Sequence, residues 1–202
     1  MCGAAIIGDN GPEAMVERLA PRQHNEVLAP AVMRVLEQAG RSFSDLDAIA
    51  LSMGPGAYTG LRVGMSYVKG LAFATGLPVI PVPTLPSLLA GELVGEFNWV
   101  ATWSHGNQVY TYPASEPPQP DAVRASTWDE FAQLARGASV GGYLLERFLP
   151  AEDIRVINIP PSAGKVGSFA LAQRLEPSAD LAALVPDYHH DFEKRLRRHA
   201  HS

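Results

Sequence analysis

The sequence is short of several things, and each scarcity excludes a class of protein. A single cysteine, Cys2, stands among 202 residues, so an internal disulfide and a cysteine-built metal site are both excluded, and a reducing cytoplasm suits the chain. No apolar run approaches the length of a membrane helix, and the first residues lack the basic-then-apolar pattern of a leader. Basic residues number 16 against 21 acidic ones, for a net charge of −5, the wrong sign for gripping nucleic acid unaided. What the chain does hold is 47% apolar residues and 18 glycines. That composition supports one large domain or two small ones around a real core, and a cytoplasmic location is expected.

The glycines concentrate in the most informative stretch, Met53-Gly54-Pro55-Gly56-Ala57-Tyr58-Thr59-Gly60-Leu61-Arg62-Val63-Gly64. It follows the apolar run Ala48-Ile49-Ala50-Leu51 and opens a helical stretch reaching Thr75. Strand, glycine turn and helix in that order favour anionic groups at the helix N-terminus. The familiar phosphate loops nevertheless fail on spacing. A Walker loop ends in Lys followed by Ser or Thr, where Leu61-Arg62 stands here, and Gly54, Gly56 and Gly60 are spaced G-x-G-x-x-x-G, not as a dinucleotide fingerprint.

Around this stretch the pattern is α/β. Residues 3–8 read as a strand, Asp9-Asn10-Gly11 as a turn and Glu13–Ala20 as its returning strand. Helical spacing runs from Asn25 to Ala39 and ends at Gly40, with Pro30 predicting a kinked first turn or a later start. A strand at 48–52, a helix at 58–75 and a strand at 79–82 make a parallel unit. Thr84 reads as the N-cap of a helix through Leu89. Beyond Gly91 the expectations are a hairpin over Trp99–Tyr112, a loop at 113–120, a helix over 127–135, strands at 139–144 and 154–159, a helix over 166–175, and a polar His- and Arg-rich tail from His189 to Ser202.

The run Gly54–Gly64, continued by Lys69-Gly70-Leu71-Ala72 and Gly76-Leu77-Pro78-Val79, resembles the signature of the bacterial TsaB (YeaZ) family. His24-Asn25-Glu26-Val27-Leu28 with Pro30 is similar to that family's His-Ser-Glu helix start, and the likeness is dense over about residues 22–90. Val109-Tyr110, Ala170-Leu171-Ala172 and Pro186-Asp187-Tyr188 are sparser landmarks. The resemblance implies an actin-like (ASKHA, RNase H-like) fold, mixed sheets with flanking helices in two lobes. The lobes are expected at 1–90 and 91–188, with the tail at 189–202. It also implies a non-catalytic subunit of the machinery that places threonylcarbamoyl on the adenosine next to the tRNA anticodon. The expected partners are a TsaD-type paralogue, bound as a heterodimer through two helices, and a TsaE-type ATPase, with tRNA reached only through the complex. A homodimer is the alternative for the isolated chain. TsaC-type enzymes would supply the threonylcarbamoyl-adenylate. ATP and a metal ion are expected in the partner complex and neither on this chain, because Thr84-Leu85-Pro86-Ser87-Leu88 stands where the paralogue carries His-x-x-x-His. The family also has a strand with Asp-Thr ahead of the position of Cys2, central in its sheet, so a missing or mis-started first strand is expected here.

The resemblance implies a docking surface on the two helices, built from Val27, Ala31, Met33, Val35, Gly60, Leu61, Gly64, Met65 and Val68. Gly60, Gly64 and Gly70 within one helix serve either close packing on the chain's own sheet or approach of a partner helix. Asp9, Gly54, Gly56, Thr59 and Arg62 are the nucleotide-proximal candidates; Arg62 and Lys69 otherwise belong to a solvated helix face. His24 is expected at a helix start, and the tail histidines suit adventitious metal at most. Trp103-Ser104-His105-Gly106-Asn107-Gln108-Val109-Tyr110 departs from the family's Asp-Ala-Arg…Gly-Glu-Val-Tyr, and Asn107 is the candidate for a left-handed turn. The rival reading is an actin-like nucleotide hydrolase or a metallopeptidase-like enzyme. It needs acidic residues on two phosphate loops, where only Asp9 is a candidate, or a metal cluster or activated nucleophile.

Overall fold

The computed structural model describes residues 1–19, 23–90, 95–114, 122–149 and 153–188. Expectations for Ala20, most of the 113–120 loop, the 90/91 boundary and the tail from His189 lie outside those residues.

The first hairpin pairs β1 (Cys2–Gly8) with β2 (Gly11–Arg18) antiparallel. Gly11 takes φ +110 at the turn, a conformation glycine adopts without Cβ strain. The returning strand therefore starts two residues before Glu13. Helix α1 (His24–Ala39) follows, closed by left-handed Gly40, whose N–H and that of Arg41 reach the carbonyls of Glu37 and Leu36. Pro30 neither delays nor confines this helix. It sits at the seventh position, where its ring forfeits one bond to the carbonyl four residues back, and it is exposed.

After a 3₁₀ turn at Phe43–Asp45, β3 (Ile49–Gly54), α2 (Tyr58–Thr75) and β4 (Val79–Pro83) form the expected parallel unit, with left-handed Gly76 ending α2. Helix α3 is only one turn, Thr84–Ser87. Pro83, not Thr84, occupies its N-cap, and Thr84 is buried with its side chain turned toward β3. That overturns the capping role expected for Thr84: its hydroxyl is used between elements.

The third sheet, after the β1–β2 and β3–β4 pairs, is five-stranded in the order β7-β6-β5-β8-β9, with β5 (Trp99–His105), β6 (Gln108–Pro113), β7 (Arg124–Thr127), β8 (Ser139–Tyr143) and β9 (Arg155–Asn158). The expected hairpin is β5/β6; β7 adds antiparallel to it, and β8 and β9 continue parallel. Leu85, Leu88, Val100, Tyr110 and Tyr112 fill one face of this sheet. Trp128 and Phe131 of α4 (Trp128–Leu134) cover the other, with Val109 and Val140. Helix α5 (Ala163–Ala172) begins three residues before the expected start, because Ser162 caps it by accepting the Lys165 N–H at 3.4 Å. It packs on the first two strand pairs from the side opposite α1 and α2. The last described segment runs back along β4, where Ser178 and Val79 exchange backbone bonds of 2.7 and 3.0 Å. No helix among the described residues is long and apolar enough to cross a membrane.

Candidate functional site

The expected docking residues divide between the interior and the surface. Ala31 and Val35 are 2% and 1% exposed, and Val35 packs with Ile6 and Leu36 under α1. Met65 and Val68 join Leu51 and Val79 beneath α2. These four are held in the chain's own core and cannot meet a partner. Leu61 is half-buried against the glycine turn, with its methyls 3.3 Å from where a Cβ on Gly54 would stand and 3.8 Å from one on Gly56. Val27 is half-buried and Met33 is 58% exposed.

The three glycines of α2 separate in the same way. A Cβ on Gly60 would lie 3.5 Å from His24 Nε2, so Gly60 gives the start of α1 its place beside α2. His24 is indeed the first residue of α1, and its carbonyl accepts from the Cys2 thiol at 3.9 Å. A Cβ on Gly64 would face Leu51 at 3.7 Å, an internal contact with β3. Gly70 has nothing within 4 Å. Only this third glycine leaves the helix surface open.

Between the two helices lies an open groove of about 440 Å³ lined by Asn25, Leu28, Arg62, Val63, Ser66 and Tyr67. Burial there pushes the Tyr67 phenol above its ordinary pKa. Thr59, Val63, Ser66, Gly70 and Phe73 recur at alternating spacings of four and three along α2, which puts them on one side of the helix. Val63 is half-buried, the other four are exposed, and Phe73 is 87% exposed. Neither Val63 nor Ser66 stands among the sequence candidates. Their signal is this spacing, which the more conspicuous glycines obscure.

The glycine turn is committed internally. Gly54 takes φ +120 and donates its N–H to Thr84 Oγ1 at 3.0 Å, while Ser52 Oγ lies 2.6 Å from the same hydroxyl. The Asp187 carbonyl sits where a Cβ on Gly54 would go, and Asp187 donates its N–H to the Met53 carbonyl at 2.8 Å. The amide that a phosphate would need is thus already bonded. Gly56 and Thr59 are exposed beside it, and Arg62 donates to Tyr58 Oη at 2.5 Å with its guanidinium over that ring. Tyr188 packs on Tyr58, ring centres 5.0 Å apart. Asp9 belongs to a different element, the exposed tip of the β1–β2 hairpin. Lys69 is half-buried. No three His, Cys, Asp or Glu side chains among the described residues are grouped to hold a metal ion.

In the altered segment the left-handed position is Gly106, φ +51, not Asn107. Asn107 instead donates its side-chain amide to Asp129 at 2.8 Å and accepts the Trp128 N–H on its carbonyl. It anchors the start of α4.

A three-layered α/β arrangement with an open helix-pair surface is what the fold and site define. The family model described as tRNA N6-adenosine threonylcarbamoyltransferase matches residues 14–117, just over half of the chain. The chain is 38% identical over 90 residues to the tRNA threonylcarbamoyladenosine biosynthesis protein TsaB of Escherichia coli K12, an alignment spanning 45% of this chain and 38% of that protein. Against TsaB of Haemophilus influenzae the identity is 36% over 112 residues, 54% of this chain and 47% of the relative. A tRNA N6-adenosine threonylcarbamoyltransferase of Syntrophus aciditrophicus is 29% identical over 92% of this chain and 62% of its own length. The chain thus spans between 38% and 62% of the length of these curated relatives. YeaZ from Pseudomonas aeruginosa shares the fold, with a TM-score of 0.65 at 24% identity over 91% of this chain and 92% of that one. The chain belongs to the TsaB (YeaZ) family, within the wider group that the threonylcarbamoyltransferase model describes.

Proposed function

We propose that the chain acts in tRNA threonylcarbamoyladenosine biosynthesis as a non-catalytic subunit that docks on a TsaD-type paralogue through α1 and α2. The observation that carries this reading is the open seam on α2. Thr59, Val63, Ser66, Gly70 and Phe73 repeat at the spacing a partner helix requires, and the groove beside them is lined by Leu28, Val63 and Tyr67. Gly70, with no neighbour within 4 Å, lets a second backbone approach closely. An 87%-exposed Phe73 is costly to leave in water and gains from being covered.

In this proposal ATP and the metal ion belong to the assembled complex, a TsaE-type ATPase joins it, and tRNA is met only there, in the cytoplasm. The actin-like division into lobes at 1–90 and 91–188 is part of the same reading. The test is co-purification of a TsaD-type protein with Ser66→Arg and Gly70→Arg variants. Both positions are exposed, so the variants should fold. Binding is expected to fall at least tenfold with the melting temperature kept. Undiminished binding by folded variants overturns the docking surface, and normal threonylcarbamoyl content in tRNA after depletion of the chain overturns the pathway.

A further inference from the structure

Helix α2 carries only two charged side chains along its 18 residues, Arg62 and Lys69. Both are cationic, in a chain whose net charge is −5. On a heptad in which Thr59, Val63, Ser66, Gly70 and Phe73 alternate between the d and a positions, Arg62 and Lys69 both fall at g. The two cations therefore stand one heptad apart on a single flank of the open seam, about 10 Å from each other along the axis. The opposite flank, Gly60, Tyr67 and Ala74 at e, is uncharged. That is the side turned to α1, since a Cβ on Gly60 would lie 3.5 Å from His24 Nε2.

Neither cation is paired with an acid of the chain itself. Among the described residues the one ion pair joins Arg41 to Glu13. Arg62 is exposed and Lys69 is half-buried. Arg62 donates one N–H to Tyr58 Oη at 2.5 Å, with the guanidinium carbon 5.2 Å from the ring centre. A guanidinium has five donors in a fixed fork, so this contact leaves it able to take a carboxylate. It also holds the plane in place beforehand, and less side-chain freedom is lost when a carboxylate arrives. Arg62 lines the groove between α1 and α2, beside Val63 and Ser66 of the seam.

From this arrangement we infer that the partner seated on α2 is a helix with an acidic flank, whose carboxylates, one heptad apart beside its own seam, pair with Arg62 and Lys69. The inference rests on the proposed docking through α1 and α2, and names the chemistry the partner presents there. A heptad repeat keeps both pairs in register whichever way the partner helix runs. A second copy of the chain does not fit. Its α2 would bring Arg62 and Lys69 against themselves when antiparallel, and against Gly60, Tyr67 and Ala74 when parallel. The exposed acids of its α1, Glu26 and Glu37, stand about 16 Å apart along that helix, against the roughly 10 Å required. Charges on such a rim govern partner choice and encounter rate more than final affinity.

The probe is a TsaD-type protein passed over the immobilised full chain, with association and dissociation rates read separately. Arg62→Glu combined with Lys69→Glu should slow association about tenfold in about 0.05 M NaCl, the gap closing to about twofold in about 0.5 M. Arg136→Glu combined with Arg155→Glu makes the same change in net charge at exposed positions after α4 and on β9, and should stay within about twofold of the parent. Lys69→Glu alone should slow association about threefold, and it keeps the test decisive if losing the Tyr58 contact unfolds Arg62→Glu. Parent-like rates for the double variant, with Gly70→Arg abolishing binding, leave the docking surface standing and overturn the acidic flank. Faster association of the double variant means a basic flank and overturns it as well. Undiminished binding by a folded Gly70→Arg chain removes the docking reading and this inference with it. Self-association of the parent that is tighter than its binding to the TsaD-type protein, and lost in Gly70→Arg, makes a second copy the occupant and overturns the inference too.

Discussion

Gly54 donates its backbone N–H to Thr84 Oγ1 at 3.0 Å, and that one hydroxyl ties the turn before α2 to the start of α3, thirty residues away. Ser52 Oγ completes the knot at 2.6 Å, and Thr84 is buried. Thr84→Val keeps the shape and removes the acceptor, leaving a buried N–H unpaired. A loss of about 1–3 kcal/mol in urea unfolding is expected. Thr84→Ser retains the oxygen and should lose clearly less. Equal losses would show that the methyl group, not the hydroxyl, matters.

The same turn limits residue 54 itself. At φ +120, and with the Asp187 carbonyl where a Cβ would stand, Gly54→Ala combines backbone strain with a clash against main chain. Strain of this kind costs on the order of 1–3 kcal/mol before the clash is added. Thermal melts of Gly54→Ala beside Gly56→Ala measure it, since a Cβ at 56 meets only Leu61 methyls at 3.8 Å or more. Comparable melting temperatures for the two variants would contradict the close approach of residue 187.

Much of this was legible beforehand, and the illegible parts share a cause. Gly40 and Gly76 end their helices where the sequence places them, and the parallel unit of β3, α2 and β4 follows from local pattern alone. Strand β7 was not legible: its four residues, Arg-Ala-Ser-Thr, become a strand only because the edge of β6 is there to pair with. Thr84 carries a helix-cap signal, yet tertiary demand from Gly54 claims its hydroxyl. In the docking surface, adjacent apolar residues on α1 and α2 gave no means of telling Val35 and Met65, which face the core, from Val63, which faces the groove. Sequence spacing shows that faces exist; only the packed neighbours decide which one is covered.

Gly70 offers a test that separates folding from docking. Open space surrounds it, so Gly70→Ala should stabilise α2 by roughly 0.5–1 kcal/mol through helix propensity. Chemical denaturation reads that gain. If a partner helix approaches closely there, the same variant weakens the complex while strengthening the free chain. A Gly70→Ala chain that is destabilised in isolation would mean the position is not open.

At the start of α4, Thr127 and Glu130 cap each other reciprocally. Glu130 Oε2 accepts the Thr127 N–H at 2.9 Å and its hydroxyl at 2.8 Å, and those bonds hold the Glu130 carboxyl below the usual carboxylate range. A lowered folded pKa means this contribution is complete above the ordinary glutamate value and is lost as pH falls through the folded one. Thr127→Ala should cost about 1 kcal/mol at neutral pH, and the difference from the parent should shrink as acid protonates Glu130. A gap that stays constant down to pH 3 would sink this account.

Lys165 gives the opposite edge of the pH scale. Its ammonium donates to the Leu88 carbonyl at 3.2 Å from a half-buried position, and burial lowers its pKa, with nearby Glu17 opposing in part. The folded pKa lies below the ordinary lysine value of 10.5, so the unfolded chain binds more protons in the window between the two. Stability contributed by this site therefore rises with pH across that window and is flat above it. Lys165→Met removes the titrating group and keeps an apolar stem along the same path. Urea unfolding of both chains from pH 7 to pH 10.5 should show the parent gaining on the variant as pH climbs. A difference that does not change with pH would mean that the ammonium is as well solvated in the fold as in the unfolded chain.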